Sequence, residues 1–186
     1  MTPDAPIVKE LVFVGGGHAH ALVLRRWGMR PVPGVRLTLV SPDPTAPYTG
    51  MLPGHVAGHY PRKALEMDLV QLARFAGARF VPGRAVALDR EARTVTLDSG
   101  RRLAYDLLSL DIGITSDMPS LPGFDAHGVA AKPLGRFADL WAEATRGTGP
   151  IAVAVLGGGV AGVELAMACA HRLTVLGRPH GVTLID

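Results

Sequence analysis

A chain of 186 residues is long enough for one domain or two small ones, and 48% hydrophobic with 19% charged residues is the make-up of a globular protein with a real core. The formal net charge is only +3, and its three lysines and sixteen arginines form no run, which argues against a nucleic-acid partner. A single cysteine, Cys169, excludes an internal disulfide and is expected to be a buried apolar residue.

Met1 to Pro6 is a short tail, polar and acidic, without the look of a secretory signal, so a cytoplasmic protein is expected. Val8 to Val14 is the first predicted strand. Gly15 and Gly17 follow as the first two places of a G-x-G-x-x-G turn, and His20 stands where the third glycine belongs. That glycine normally lets the helix pack closely on the strand. Either the helix stands off here, or His20 points into the site. His18 and His20 could donate hydrogen bonds to a phosphate, or simply cap and cover the helix end. The helix runs to about Met29 and is broken by Pro31, Pro33 and Gly34. Val35 to Val40 is the second strand, ending in Ser41 with Asp43 as the nearest carboxylate.

Pro47 to Tyr60, PYTGMLPGHVAGHY, reads as a glycine- and proline-punctuated loop. His55 and His59 have helical spacing, but no acid lies between them and Gly58 weakens the helix, so ordinary loop histidines are expected and no metal. Lys63 to Phe75 is predicted as one amphipathic helix, with Leu65, Leu69, Leu72 and Phe75 as core contacts. Ala78 to Val81 is a short strand. Ala85 to Leu88, Thr94 to Leu97 and Arg102 to Tyr105 form an antiparallel meander joined by polar turns, and Leu107 to Ile112 is a further buried strand. The proline- and glycine-rich stretch 115–128 carries the predicted boundary, with one domain over 1–118 and a second beginning at 119.

Phe137 to Thr145 is predicted as a helix, and then comes the stretch around which the chain is organised. Ile151 to Val155 is apolar throughout, as a buried parallel strand is. Gly157, Gly159 and Gly162 complete G-x-G-x-x-G, and helix formers follow. Gly157 makes the tight turn, Gly159 lets a pyrophosphate approach the backbone, and Gly162 lets helix and strand pack closely. The helix N-terminus supplies N–H groups and positive potential. Val182 to Asp186 is the next strand and ends in an acid 24 residues after Gly162, about where a ribose-binding carboxylate belongs. The stretch is apolar enough for a membrane span, but four glycines and Glu164 within it suit strand–turn–helix better. Leu11 to Leu24 repeats this motif and Leu37 to Ser41 repeats its second strand. Two such units in one chain suggest two nucleotides, one passing electrons to the other. The second unit has only two strands and one helix, too little for an independent open sheet. A fragment, a missing C-terminal region or a homo-oligomer is therefore expected.

VFVGGGHAH, YTGMLPGHVAG, the meander, YDLLSLDIG, LPGF and VLGGGVAGVELA followed by VTLID together resemble the pyridine nucleotide-disulfide oxidoreductase superfamily. Within it they look most like the NADH-dehydrogenase-like module sometimes fused to selenophosphate synthetase. Type II NADH dehydrogenases and sulfide:quinone reductases are more distant. YDLLSLDIG is similar to the superfamily's Y-D-x-L-x-x-A-x-G, with Asp111 in place of the alanine. The resemblance implies an α/β protein: a Rossmann-like FAD-binding βαβ unit with a small meander, then the start of a Rossmann-like NAD(P)-binding unit. It implies FAD at the first, with Gly15, Gly17 and His18 toward the pyrophosphate, and Ser41 or Asp43 toward the ribose. Leu52 and Pro53 would lie beside the isoalloxazine, Ala85 and Val86 near the adenine, and Asp111, Ile112 and Gly113 near the middle of the cofactor. At the second unit Gly157, Gly159 and Gly162 would hold the NAD(P)H pyrophosphate, Glu164 would lie toward the nicotinamide, and Asp186 on the ribose. A carboxylate there repels a 2′-phosphate, so NADH is expected over NADPH. The superfamily's redox cysteine pair is absent from 49–60, so electrons are expected to leave for a quinone, oxygen or a protein. No acid–base residue is singled out, membrane contact is left open, and a nucleotide-sensing module or an inactive fragment are the rival readings.

Overall fold

The computed structural model describes residues 6–113 and 122–186. The chain divides into two compact units, Met1–Ala46 with Met67–Ile114, and Pro47–Glu66 with Thr115–Asp186. The boundary expected at 118 lies outside the described residues. Pro47–Glu66, expected within the first domain, belongs to the second unit.

In the first unit β1 (Lys9–Val14), β2 (Val35–Ser41), β5 (Arg79–Pro82) and β9 (Leu107–Leu110) form a parallel sheet in the order β5-β2-β1-β9. Side chains alternate across it, as a pleated strand requires. Phe13, Leu37 and Leu39 face α1 (His18–Met29) and α3 (Leu69–Phe75), where Leu24, Leu69, Ala73 and Ala76 complete one core. Val12, Val14, Val40 and Val81 face the other way, onto Val95, Leu97 and Leu103. Those three come from the antiparallel meander β6 (Ala85–Asp89), β7 (Thr94–Leu97) and β8 (Arg102–Ala104). Helices cover one face of the sheet and the meander the other, so β1 and β2 are largely buried on both sides, whereas β9, expected to be a buried strand to Ile112, ends at Leu110 and exposes Leu107 and Leu110.

The second unit is built on β10 (Ile151–Leu156) and β11 (His180–Ile185), paired in parallel and joined by α6 (Val160–Val175). Its core gathers Leu165, Ala168, Cys169 and Leu173 of α6, Leu134, Ala138 and Trp141 of α5 (Leu134–Arg146), and Leu52, Val56 and Leu65 from 47–66. The short α4 (Phe124–His127) precedes α5.

Two local expectations are corrected. The stretch 47–60 is largely helical: a 3-10 turn at Thr49–Met51 leads into α2 (Leu52–Val56), where Pro53 suits the first turn and Gly58, at φ +88°, ends the run. The single helix over 63–75 is instead a 3-10 turn (Arg62–Leu65), a strand β4 (Glu66–Asp68) paired with β3 (Thr45–Pro47), and then α3. Asp68 caps α3, its carboxylate accepting from the Gln71 N–H at 2.8 Å. Leu65 serves the core of the second unit while Leu69 and Leu72 serve the first. Phe75 is exposed, not a core contact.

Candidate dinucleotide sites

The first glycine turn is drawn tight by its neighbours. The Gly15 N–H donates to Val40 O at 2.8 Å, and the Gly17 N–H to Asp111 O at 3.1 Å. Gly15 has φ +93°, and a Cβ there would lie 2.2 Å from Asp111 O, so no other residue fits. α1 starts at His18, which is exposed at the helix tip. The helix N-terminus is met by Asp111, whose Oδ2 accepts from the His20 N–H at 3.0 Å. A Cβ on Gly17 would lie 2.1 Å from Asp111 Oδ1.

His20 is 2% exposed and does not point into the site. Its ring stacks on Phe13 with centroids 4.2 Å apart. Nδ1 lies 2.7 Å from Gly15 O and Nε2 lies 2.8 Å from Ser109 Oγ. A carbonyl can only accept, so Nδ1 carries the proton, and in the neutral ring Nε2 accepts from the Ser109 hydroxyl. The imidazole fills the gap between helix and strand that glycine normally closes. The contact between His20 and Ser109 has no local signal in the sequence, because 89 residues separate the partners.

The second turn keeps the glycine. Gly157 has φ +106° and donates to Ile185 O at 2.7 Å. A Cβ on Gly162 would lie 1.8 Å from Gly157 O, which is the close helix–strand approach the motif predicts. Gly159 is the N-cap of α6, and among the described residues a Cβ there would meet nothing within 4 Å. Among the described residues no side chain caps α6, and its first turn carries no acid. The Asp186 Oδ1 accepts from the Gly158 N–H at 2.9 Å, which puts the acid at the glycine turn. Glu164 is exposed on α6.

The remaining positions are dispersed. Ser41 is buried at the end of β2, and Asp43 is exposed just beyond it. Val86 is exposed at an irregularity of the β6–β7 register, next to half-buried Ala85. Ile112 is exposed and Gly113 has φ +77°. Leu52 is buried in the core of the second unit, with Pro53 beside it half-buried. His55 Nδ1 lies 2.9 Å from Tyr60 O, and the His59 ring lies 5.1 Å from that of His171. The two histidines of the H-x-x-x-H spacing therefore have different neighbours. Cys169 is buried on α6, and burial pushes its thiol up to about 11. Among the described residues no helix is long and apolar enough to cross a membrane.

Both turns have the same backbone form: a left-handed glycine at the end of a parallel strand, and a helix N-terminus behind it. Two such strand–turn–helix–strand units define a protein of the dinucleotide-binding α/β class. The sequence model of the pyridine nucleotide-disulphide oxidoreductase family matches residues 9–186, and the chain belongs to that family. A sulfide-quinone reductase of Aquifex aeolicus (strain VF5) is 27% identical over 108 residues, 58% of this chain and 25% of the relative. Among solved structures, a NAD-dependent persulfide reductase from A. fulgidus has TM-score 0.72 at 23% identity, covering 93% of this chain and 33% of that one. The water-forming NADH oxidase from Lactobacillus brevis, bound to NADH, has TM-score 0.70 at 22% identity, covering 96% and 39%. The chain thus spans a quarter of the curated relative's length and a third or so of each solved chain.

Proposed function

We propose that this chain is the nucleotide-binding part of an FAD-dependent NAD(P)H oxidoreductase acting in the cytoplasm. The observation that carries the reading is the pair of glycine turns, each at the C-terminal end of a parallel strand and each followed by a helix N-terminus. The first turn, with Gly15, Gly17 and His18, would hold FAD; the second, with Gly157, Gly159 and Gly162, would hold the nicotinamide nucleotide. When bound, the two cofactors supply hydride transfer from nicotinamide to flavin, and the protein's part is orientation and electrostatics. Gly159 gives the phosphates access to backbone, and the α6 N-terminus gives them N–H donors. Asp186, at the end of the sequence repeat of β2, would accept from ribose hydroxyls. Its charge disfavours a 2′-phosphate, so NADH is the proposed donor. The 186 residues hold one cysteine, so a disulfide of this chain is not the acceptor. The relatives named above reduce chemically different acceptors, and a quinone, oxygen or a protein is proposed without choosing among them.

The test is the visible spectrum of the purified chain, loaded with FAD, before and after NADH is added without oxygen. Flavin bands that bleach support the reading. Bands that persist with NADH leave a flavin protein without hydride transfer. A chain that takes up neither FAD nor NADH sinks the proposal for these residues.

A further inference from the structure

The two glycine turns are alike in backbone and differ in where an acid meets them: Asp186 lies at Gly158 in the second, Asp111 at Gly17 in the first. In front of Gly159, where a Cβ would be, there is nothing within 4 Å among the described residues. In front of Gly17, its counterpart, stand both carboxylate oxygens of Asp111, at 2.1 and 2.4 Å from the same notional atom. Among the described residues, the space that a missing side chain leaves for a phosphate is open at Gly159 and filled by an anion at Gly17.

That carboxylate is firmly seated. Its Oδ2 accepts from the His20 N–H, the third of the helix, at 3.0 Å, and the backbone carbonyl of Asp111 accepts from the Gly17 N–H at 3.1 Å. Asp111 is half-buried, and among the described residues it makes no ion pair. It stands on the helix as a capping aspartate does, although it lies 91 residues away in the chain. The neighbouring imidazole offers no relief, since both nitrogens of His20 are already engaged.

We propose that Asp111 is an internal anion seated in the phosphate place of the first turn, so that this chain holds FAD weakly and exchangeably, and that removing its charge tightens binding. The inference rests on the reading that the first turn takes FAD. An incoming pyrophosphate and Asp111 compete for one helix terminus, and two like charges there oppose each other. Either the carboxylate turns away and its hydrogen bond is lost, or the phosphate sits farther from the helix. In the second unit the acid, Asp186, sits on the Gly158 N–H instead of before Gly159, and residue 111 belongs to the first unit, so nucleotide affinity there is expected to be independent of residue 111.

The test is titration of FAD into the full chain, followed by flavin fluorescence, for the wild type, Asp111→Asn and Asp111→Ala. The asparagine keeps the shape and an oxygen acceptor for the His20 N–H. Both variants are expected to bind FAD about tenfold tighter or better, with NADH affinity unchanged. Unchanged or weaker FAD binding in both overturns the proposal. Thermal melts with inorganic pyrophosphate provide a readout that does not need FAD: the ion is expected to stabilise the variants more than the wild type. If none of the three proteins binds FAD, the FAD reading falls, and pyrophosphate then decides the role of Asp111 alone, equal shifts in all three overturning it. Where a variant does not fold, the wild type answers: FAD that survives gel filtration overturns the proposal, and FAD that binds only in excess supports it.

Discussion

Gly159 and Gly162 stand three residues apart in one motif and have opposite physical duties. A methyl group on Gly162 would sit 1.8 Å from Gly157 O, a backbone atom that cannot move without opening the turn. Among the described residues a methyl group on Gly159 meets nothing, and the backbone there has φ −65°, which alanine adopts freely. Gly162→Ala is therefore expected to destabilise the second unit by more than about 3 kcal/mol, as overpacking against backbone does. Gly159→Ala is expected to melt within about 1 kcal/mol of the wild type yet to lose NADH affinity. Paired thermal melts and NADH titrations check both, and an intact NADH site in Gly159→Ala would refute the role given to that glycine. Cys169 gives a second residue-level outcome. Its thiol is 3% exposed, and burial raises its pKa from 9.0 to about 11. The folded state therefore holds the proton more tightly than the unfolded chain. The associated stability is full below pH 9 and is lost as pH rises from 9 through 11. Iodoacetamide at pH 8 is expected to label Cys169 at least about tenfold more slowly in the native chain than in urea, because the thiolate is scarce and covered. Equal rates would mean that the α6 core opens readily.

α2 and α5 are held together by one directional contact as well as by packing. The Trp141 indole N–H donates to Val56 O at 3.0 Å in the interior. Trp141→Phe keeps most of the ring and leaves that carbonyl without its partner, at an expected cost of about 1–3 kcal/mol. Trp141→Ala adds a cavity and is expected to cost about 3–5 kcal/mol. Urea unfolding monitored by circular dichroism separates the two, and equal losses would mean that the hydrogen bond contributes little beside the ring. The elements differ in how openly the sequence announces them. The strands of the parallel sheet and the three strands of the meander are legible because their signals are local: apolar runs, polar turns and glycines. The stretch 63–75 misleads because Leu65, Leu69 and Leu72 keep helical spacing while serving two different cores. A local signal against the single helix was present in Asp68 and Gln71, an acid and an amide three apart, which is how a new helix starts. The Asp111 contact with α1 and the Ser109 contact with His20 have no local signal, since 91 and 89 residues separate the partners. The glycine turns are therefore legible, as is the acid at the second of them, and what faces the first is not.

At the scale of the whole chain, the second unit does not begin where the sequence changes character near residue 118. Three large side chains from Pro47–Glu66, together with the small Ala57, complete its core: Leu65 and Val56 are fully buried and Leu52 is 6% exposed. Burial of each stabilises by about 1.5–3 kcal/mol, and losing three removes about 5–9 kcal/mol. That is comparable to the whole stability of a small domain, about 5–15 kcal/mol. The acceptor of the Trp141 indole leaves with them, as does the half-buried Met51 packed on the same cluster. A polypeptide of residues 119–186 is therefore expected not to fold by itself, although it contains the whole of the second glycine motif. Trp141 is its one tryptophan, so its fluorescence reports the core directly. Emission at the wavelength of a solvated indole, and a melt without a cooperative transition, are the expected results, together with no NADH binding. A cooperative melt with buried-indole emission would show that α5, α6 and the two strands suffice. The first motif would then no longer be needed in the same chain as 47–66, and the two nucleotide units would be separable at the linker as the sequence suggests.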